Sequence, residues 1–165
     1  MITQCIICGN NIVINSFKGM SKTYIPCSFE CFIELCKRYG TPISESKDLK
    51  IKKNTDIKIY RSELEKEFAE YAKSVGLQVY FEPYIFIKNI KGQTRYYLPD
   101  FYLPEYGTFI EIKGSIWGQR AYRKYIEFAK SIPVLLVNSS ILKIIKHKLS
   151  NTRIFEVKGV AENAT

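Results

Sequence analysis

Long apolar runs are missing from this chain of 165 residues. Uninterrupted ones, such as residues 134–137, fall far short of the roughly 18 residues that a membrane-spanning helix needs. The opening Met1-Ile2-Thr3-Gln4-Cys5 also lacks the basic start and apolar stretch of a secretory signal. A reducing, cytoplasmic setting is therefore expected, with no membrane partner. Histidine is nearly absent. His147 stands alone with no motif around it, which reads as a surface residue rather than a general base. Acidic residues are in deficit, 16 against 25 Lys and Arg, leaving a net charge of +9 that suits a polyanionic partner. With 46% hydrophobic and 25% charged residues, the composition excludes a disordered or low-complexity chain.

Cysteine is absent after residue 36, and all five thiols fall in the first quarter of the chain. In a reducing compartment that clustering favours metal ligation over disulfides. Cys5-x-x-Cys8 and Cys27-x-x-x-Cys31 provide two thiolate pairs, each able to grip one side of a tetrahedral ion, and zinc suits four soft sulfur ligands. Gly9 supplies the permissive backbone of a tight knuckle, and Cys31 leads into the apolar run 32–35. The pattern resembles treble-clef zinc fingers, in which a knuckle gives two ligands and the first turn of a helix the other two. Four thiolates leave no position for water, so the zinc expected here is structural. Cys36 lies outside both pairs and reads as a small apolar residue on a helix.

These features divide the chain into a zinc module over 1–43, a lysine-rich polar linker over 44–58 with room for a short extended piece, and a larger body over 59–165. In the body, Leu64, Phe68, Tyr71, Ala72 and Val75 follow helical spacing, with Ser62 to cap the start and Gly76 to end it. An extended segment is predicted over 77–88, a turn at Lys91-Gly92 and a second strand over 95–103. A turn over 104–107 and a third strand over 108–113 follow. Then come a helix over 119–131, a buried strand over 134–137, a helix over 141–149 and a last strand over 153–157. The order αβββαβαβ implies a mixed sheet flanked by helices, an α/β (α+β mixed) fold.

Strand parity gives the carboxylates of the body a meaning. Residues 109, 111 and 113 share one face of a strand and Ile110 and Ile112 the other, so Glu111 and Lys113 emerge side by side. Pro99 interrupts strand pairing, which lets Asp100 project from a bent strand toward Glu111 across the hairpin. Two converging carboxylates suit Mg²⁺ or Mn²⁺, and a lysine beside them can orient water and offset phosphate charge. Taken alone, Glu-x-Lys is a common pair on an exposed strand edge.

The combination is more specific. Pro99-Asp100, ten residues, then Glu111-x-Lys113-Gly114 resembles the PD-(D/E)XK nuclease superfamily. Ser62-x-x-Glu65, the extended Val79-Tyr80-Phe81-Glu82-Pro83 and the apolar strand at Val134 extend the likeness over about residues 60–140. It implies a restriction-endonuclease-like αβββαβ core in which Asp100 and Glu111 bind the divalent metal. It further implies that the Ile112 carbonyl coordinates, that Lys113 assists the attacking water, and that Glu65 completes the site. Glu65 has a rival role, because Ser62-x-x-Glu65 is also a capping box. Gln119-Arg120-Ala121-Tyr122 is similar to the Gln/Tyr motif of exonuclease-like members, but one residue out of spacing. Gln119 opens a helix whose Arg120, Arg123 and Lys124 form a basic face suited to the phosphate backbone.

The expected activity is a metal-dependent endonuclease acting on DNA, with RNA the alternative substrate and a homodimer the arrangement suited to double-strand cutting. Two other classes stay open at this point. One is a nucleic-acid-binding protein that keeps the fold without chemistry; the other is a zinc-stapled interaction module.

Overall fold

The computed structural model describes residues 2–13, 25–41, 45–56, 58–114 and 119–147. The elements are β1 (Ile2–Gln4), β2 (Asn11–Val13), α1 (Phe29–Tyr39), β3 (Leu49–Lys53), α2 (Glu63–Ser74), β4 (Tyr80–Phe81), β5 (Tyr84–Ile90), β6 (Gln93–Tyr97), β7 (Phe101–Leu103), β8 (Thr108–Lys113), α3 (Gln119–Ala129), β9 (Val134–Asn138) and α4 (Ser139–Lys146). The class is mixed α and β, as expected. No helix of the described residues is long and apolar enough to cross a membrane.

The central sheet runs β4-β7-β8-β9. Its first three strands are antiparallel, while β8 and β9 are parallel and joined through α3, as a parallel pair requires. Alternation along β8 sends Ile110 and Ile112 into a core with Phe101, Leu103, Leu135 and Val137. Phe32 and Leu35 of α1, Phe68 and Ala72 of α2, and Leu142 and Ile145 of α4 close that core. Phe109, Val134 and Leu136 face the other way, onto Phe86, Tyr97, Tyr125 and Phe128 from a second sheet and α3. Both faces of β8 are therefore covered, and Glu111 lies on the second of them.

The second sheet, ordered β3-β5-β6, corrects the strand boundaries. The extended segment expected over 77–88 is two strands in two sheets, broken at Glu82-Pro83, where Glu82 takes φ 45° and Pro83 has no N–H to donate. The strand expected over 95–103 likewise divides around Leu98-Pro99-Asp100, with β6 in the second sheet and β7 in the central one. The short extended piece of the polar stretch is β3, paired with β5. The helix over 119–131 ends at Ala129, and that over 141–149 begins at Ser139. The last strand expected, over 153–157, lies outside the described residues.

Local signals at helix ends are used as the sequence suggests. Ser62 accepts a hydrogen bond from Glu65 N at the start of α2. At its other end Gly76, at φ 72°, closes a Schellman turn in which Leu77 N donates to Ala72 O and Gly76 N to Lys73 O. The N-terminal module is built onto the body. Helix α1 buries Phe32, Leu35 and Cys36 in the central core, and Thr108 Oγ1 donates to the Cys36 carbonyl at 2.8 Å. Gly40 follows α1 so close to the β7–β8 turn that a Cβ there would sit 1.7 Å from the Tyr106 carbonyl oxygen. No larger residue fits without moving backbone.

Candidate active site and metal centre

The four cysteines meet. Cys5 and Cys8 lie on the turn between β1 and β2, Cys27 precedes α1, and Cys31 sits in its first turn, whose N-cap is Ser28. Their Sγ atoms all lie within 4.8 Å of one another, with Cys8–Cys27 at 3.4 Å and Cys27–Cys31 at 3.6 Å. A regular tetrahedron of ~2.3 Å Zn–S bonds has S···S edges of about 3.8 Å, so four sulfurs so placed fit one zinc ion. Ile7 N points at Cys5 Sγ at 3.4 Å, and Gly9, at φ 77°, donates its N–H to the Cys5 carbonyl, which folds the knuckle. Burial, together with the neighbouring Cys8 thiol, raises Cys27, and burial also raises Cys31. Burial would raise Cys5 too, but backbone groups at Cys8, Ile7 and Cys27 bring it below its usual value. Cys36 stays apart in the core, its thiol pushed up to about 12 by burial. These four cysteines are positioned to bind a metal ion.

The acidic residues form a second, looser cluster at the junction of the two sheets. Register pairs Phe101 with Ile110, so Asp100 falls opposite Glu111. Asp100 Oδ2 accepts a 2.6 Å bond from Ile112 N. Glu111 is held at both oxygens, Oε2 by the Tyr97 hydroxyl at 2.8 Å and Oε1 beside Lys113 Nζ at 3.1 Å. Asp100 and Glu111 are each only 5% exposed and Glu65 7%. Burial first, then Glu111, push the Asp100 carboxyl up to about 8; Glu65 adds to this, and the Ile112 N–H and Lys113 oppose it. Burial also raises Glu111, against the pull of Lys113, the Tyr97 hydroxyl and Lys124.

Glu65 closes the start of α2 and lies near enough to Asp100 to affect its charge. Its Oε2 accepts from Arg61 N at 2.8 Å, one residue before the cap. The three carboxylates nonetheless stand more widely apart than the thiols. Among the described residues, the cysteines alone form a group of three or more candidate ligands within 4.8 Å.

Helix α3 brings cations to the same place. Burial lowers the Lys124 ammonium, Glu111 counters this, and Lys113, Arg120 and Arg95 repel it further, so Lys124 stands between one carboxylate and three other cations. Arg123 lies exposed beside them on α3, and Gln119 opens the helix, its side chain outside the described residues. Sequence reasoning missed Arg61, which pairs with Glu82, the Tyr97 hydroxyl, whose partner Glu111 is in the other sheet, and Arg95, which donates to Gln93 Oε1 at 2.6 Å on its own strand. Period-2 spacing on β6 puts Arg95 on the same face as Tyr97, a signal that could have found it. Glu82 is paired with Arg61 and donates its N–H to the Asp100 carbonyl at 2.7 Å. Asn54 braces that bend through the Glu82 carbonyl at 2.9 Å.

A family model described as phage endonuclease I matches residues 47–154, from the approach to β3 past the end of α4. The chain belongs to the phage endonuclease I family. The family region contains every carboxylate and cation of the second site, and the four-cysteine module lies N-terminal to it. By its family, then, the chain is an endonuclease. No curated protein and no solved structure matches it.

Proposed function

We propose that this endonuclease is a divalent-metal-dependent enzyme of the PD-(D/E)XK type that hydrolyses DNA phosphodiesters. Asp100 and Glu111 hold Mg²⁺ or Mn²⁺ with the Ile112 carbonyl, Glu65 completes the acidic set, and Lys113 helps to activate water. The supporting observation is the Asp100–Glu111 pair, two buried carboxylates opposite each other with the Lys113 ammonium at one edge. Such a pair is costly to ionise without a cation, and hard oxygen donors suit these ions. When bound, the metal supplies Lewis-acid stabilisation of the charge that builds on the phosphate oxygens. Lys113, 34% exposed at its side chain, faces both Glu111 and solvent, where it can orient an attacking water. Arg120, Arg123, Lys124 and Gln119 hold the phosphate backbone from α3. The N-terminal residues 1–43 act as a structural zinc module.

Cleavage assays on duplex, single-stranded, flapped and branched DNA, with an RNA control, test this reading in Mg²⁺ and Mn²⁺. Wild type should cut at least one DNA substrate, and Lys113→Ala and Asp100→Ala should not, while retaining their circular dichroism. Steeply salt-dependent binding without metal-dependent turnover would replace the proposal with a binding protein on a nuclease fold. Cleavage of RNA alone would change the substrate.

A further inference from the structure

We infer that Tyr97 is a positioning residue, one that fixes the Glu111 carboxylate in the orientation needed to bind a divalent cation. The inference rests on the Asp100–Glu111 metal site proposed above. The two oxygens of Glu111 are held by groups of different origin. Lys113, on Oε1, shares strand β8 with Glu111, so it follows any movement of that strand. Tyr97, on Oε2, ends β6 in the other sheet and reaches across the interface between the sheets. It therefore refers the carboxylate to a second, separate framework.

That framework is firm. The Tyr97 ring stacks on Phe128 of α3 at 5.0 Å with 28° between planes, and its backbone is paired with Phe86 of β5. Lys124 Nζ lies 6.0 Å from the ring centroid, so the helix that carries the basic residues packs against the same side chain. Tyr97 is only 5% exposed, so its hydroxyl is shielded from water that would compete for Glu111. A buried carboxylate oxygen that loses such a donor both forfeits its hydrogen bond and regains rotation. Partners of this kind commonly govern metal affinity about 10–100-fold without touching the metal.

Calorimetric titration of the full-length protein with Mn²⁺ alone tests the inference directly. Tyr97→Phe keeps the ring and removes the hydroxyl. Its Mn²⁺ affinity should fall about 10-fold or more, with cleavage recovering largely at saturating Mn²⁺. Phe128→Leu loosens the same packing but leaves the hydroxyl, so it should lower the melting temperature and leave Mn²⁺ affinity near wild type. In a Glu111→Gln background, Tyr97→Phe should add no further loss. Unchanged Mn²⁺ binding in Tyr97→Phe overturns the inference, as does an equal loss in Phe128→Leu, which would make the effect one of packing. Asp100→Asn and Glu111→Gln separate the two levels. If neither weakens Mn²⁺ binding, the metal site itself is wrong; if both do and Tyr97→Phe does not, only the role of Tyr97 falls.

Discussion

The two clusters of acidic ligands in this chain, one of thiols and one of carboxylates, are built on opposite plans. The thiols come from two short pairs, lie within 4.8 Å of one another, and match the four corners of a tetrahedral ion. The carboxylates come from three elements, stand further apart, and are held by groups that are not themselves ligands: Tyr97, Arg61 N and Ile112 N. On the proposed function, the closed set of soft donors is a staple, and the open set of hard donors with a lysine beside it leaves room for water and phosphate. On that reading, stability and chemistry are separated in this fold.

Removing metal should expose that separation most sharply. Structural zinc in small modules contributes apparent binding free energies of about 10 kcal/mol or more at neutral pH. The consequence here extends beyond the module, because α1 carries Phe32, Leu35 and Cys36 into the central core. Purified protein should hold one zinc per chain by elemental analysis. Cys27→Ser should lose it and melt at least ~10 °C lower. If Cys27→Ser keeps its zinc or its melting temperature, the staple reading is wrong. Withholding Mg²⁺ and Mn²⁺, by contrast, should stop cleavage and leave the zinc and the fold in place.

The next largest effect is confined to chemistry. Lys113→Ala should lower the cleavage rate by about 10²–10⁴-fold, the usual worth of a proton-handling group, with little change in substrate affinity. A loss that appears mainly in KM would make Lys113 a phosphate-binding residue instead.

Asp100 offers a sign test of the same contrast. Its carboxyl is raised from an ordinary 3.8 to about 8, chiefly by burial and by Glu111. Between those values the folded chain, free of Mg²⁺ and Mn²⁺, keeps a proton that the unfolded chain has released. Stability from this group therefore falls as pH rises from about 4 to about 8 and levels off above. Asp100→Asn removes the slope, and its amide oxygen can still accept from Ile112 N. The variant should thus be inactive yet melt several degrees above wild type at pH 8, with the gap closing toward pH 5. Equal melting curves across that range would mean that Asp100 is not a destabilised charge.

How far each cluster was legible follows from its locality. Cysteine spacing, the Ser62 cap, the Gly76 stop and the alternation of Ile110, Glu111 and Ile112 all act within a few residues, and each is found where expected. The pairing of Asp100 with Glu111 was accessible because a single hairpin joins them. The transfers between sheets at Glu82-Pro83 and around Pro99 were not. A proline announces a break but not which sheet receives the next strand. The role of the Tyr97 hydroxyl was hidden for the same reason, since its partner Glu111 lies in the other sheet.

The smallest expected effect asks which of the two regions grips the phosphate backbone. Lys124 of α3 acts on Glu111, and Arg120 and Arg95 lie near enough to Lys124 to repel it. Among the described residues of the N-terminal region, the basic side chains are already engaged: Arg38 Nε pairs with Glu34 at 3.0 Å, and Lys37 lies over the Tyr106 ring at 6.0 Å. Each phosphate contact contributes about one unit to the slope of log affinity against log salt. Arg120→Ala/Lys124→Ala should flatten that slope by about two units and weaken binding alike on all sequences. Lys37→Ala/Arg38→Ala should leave it within about half a unit of wild type. If the module variant flattens the slope as much as the α3 variant, the four-cysteine region holds nucleic acid as well as the fold. The division between a staple and a reactive site would then be one of chemistry alone.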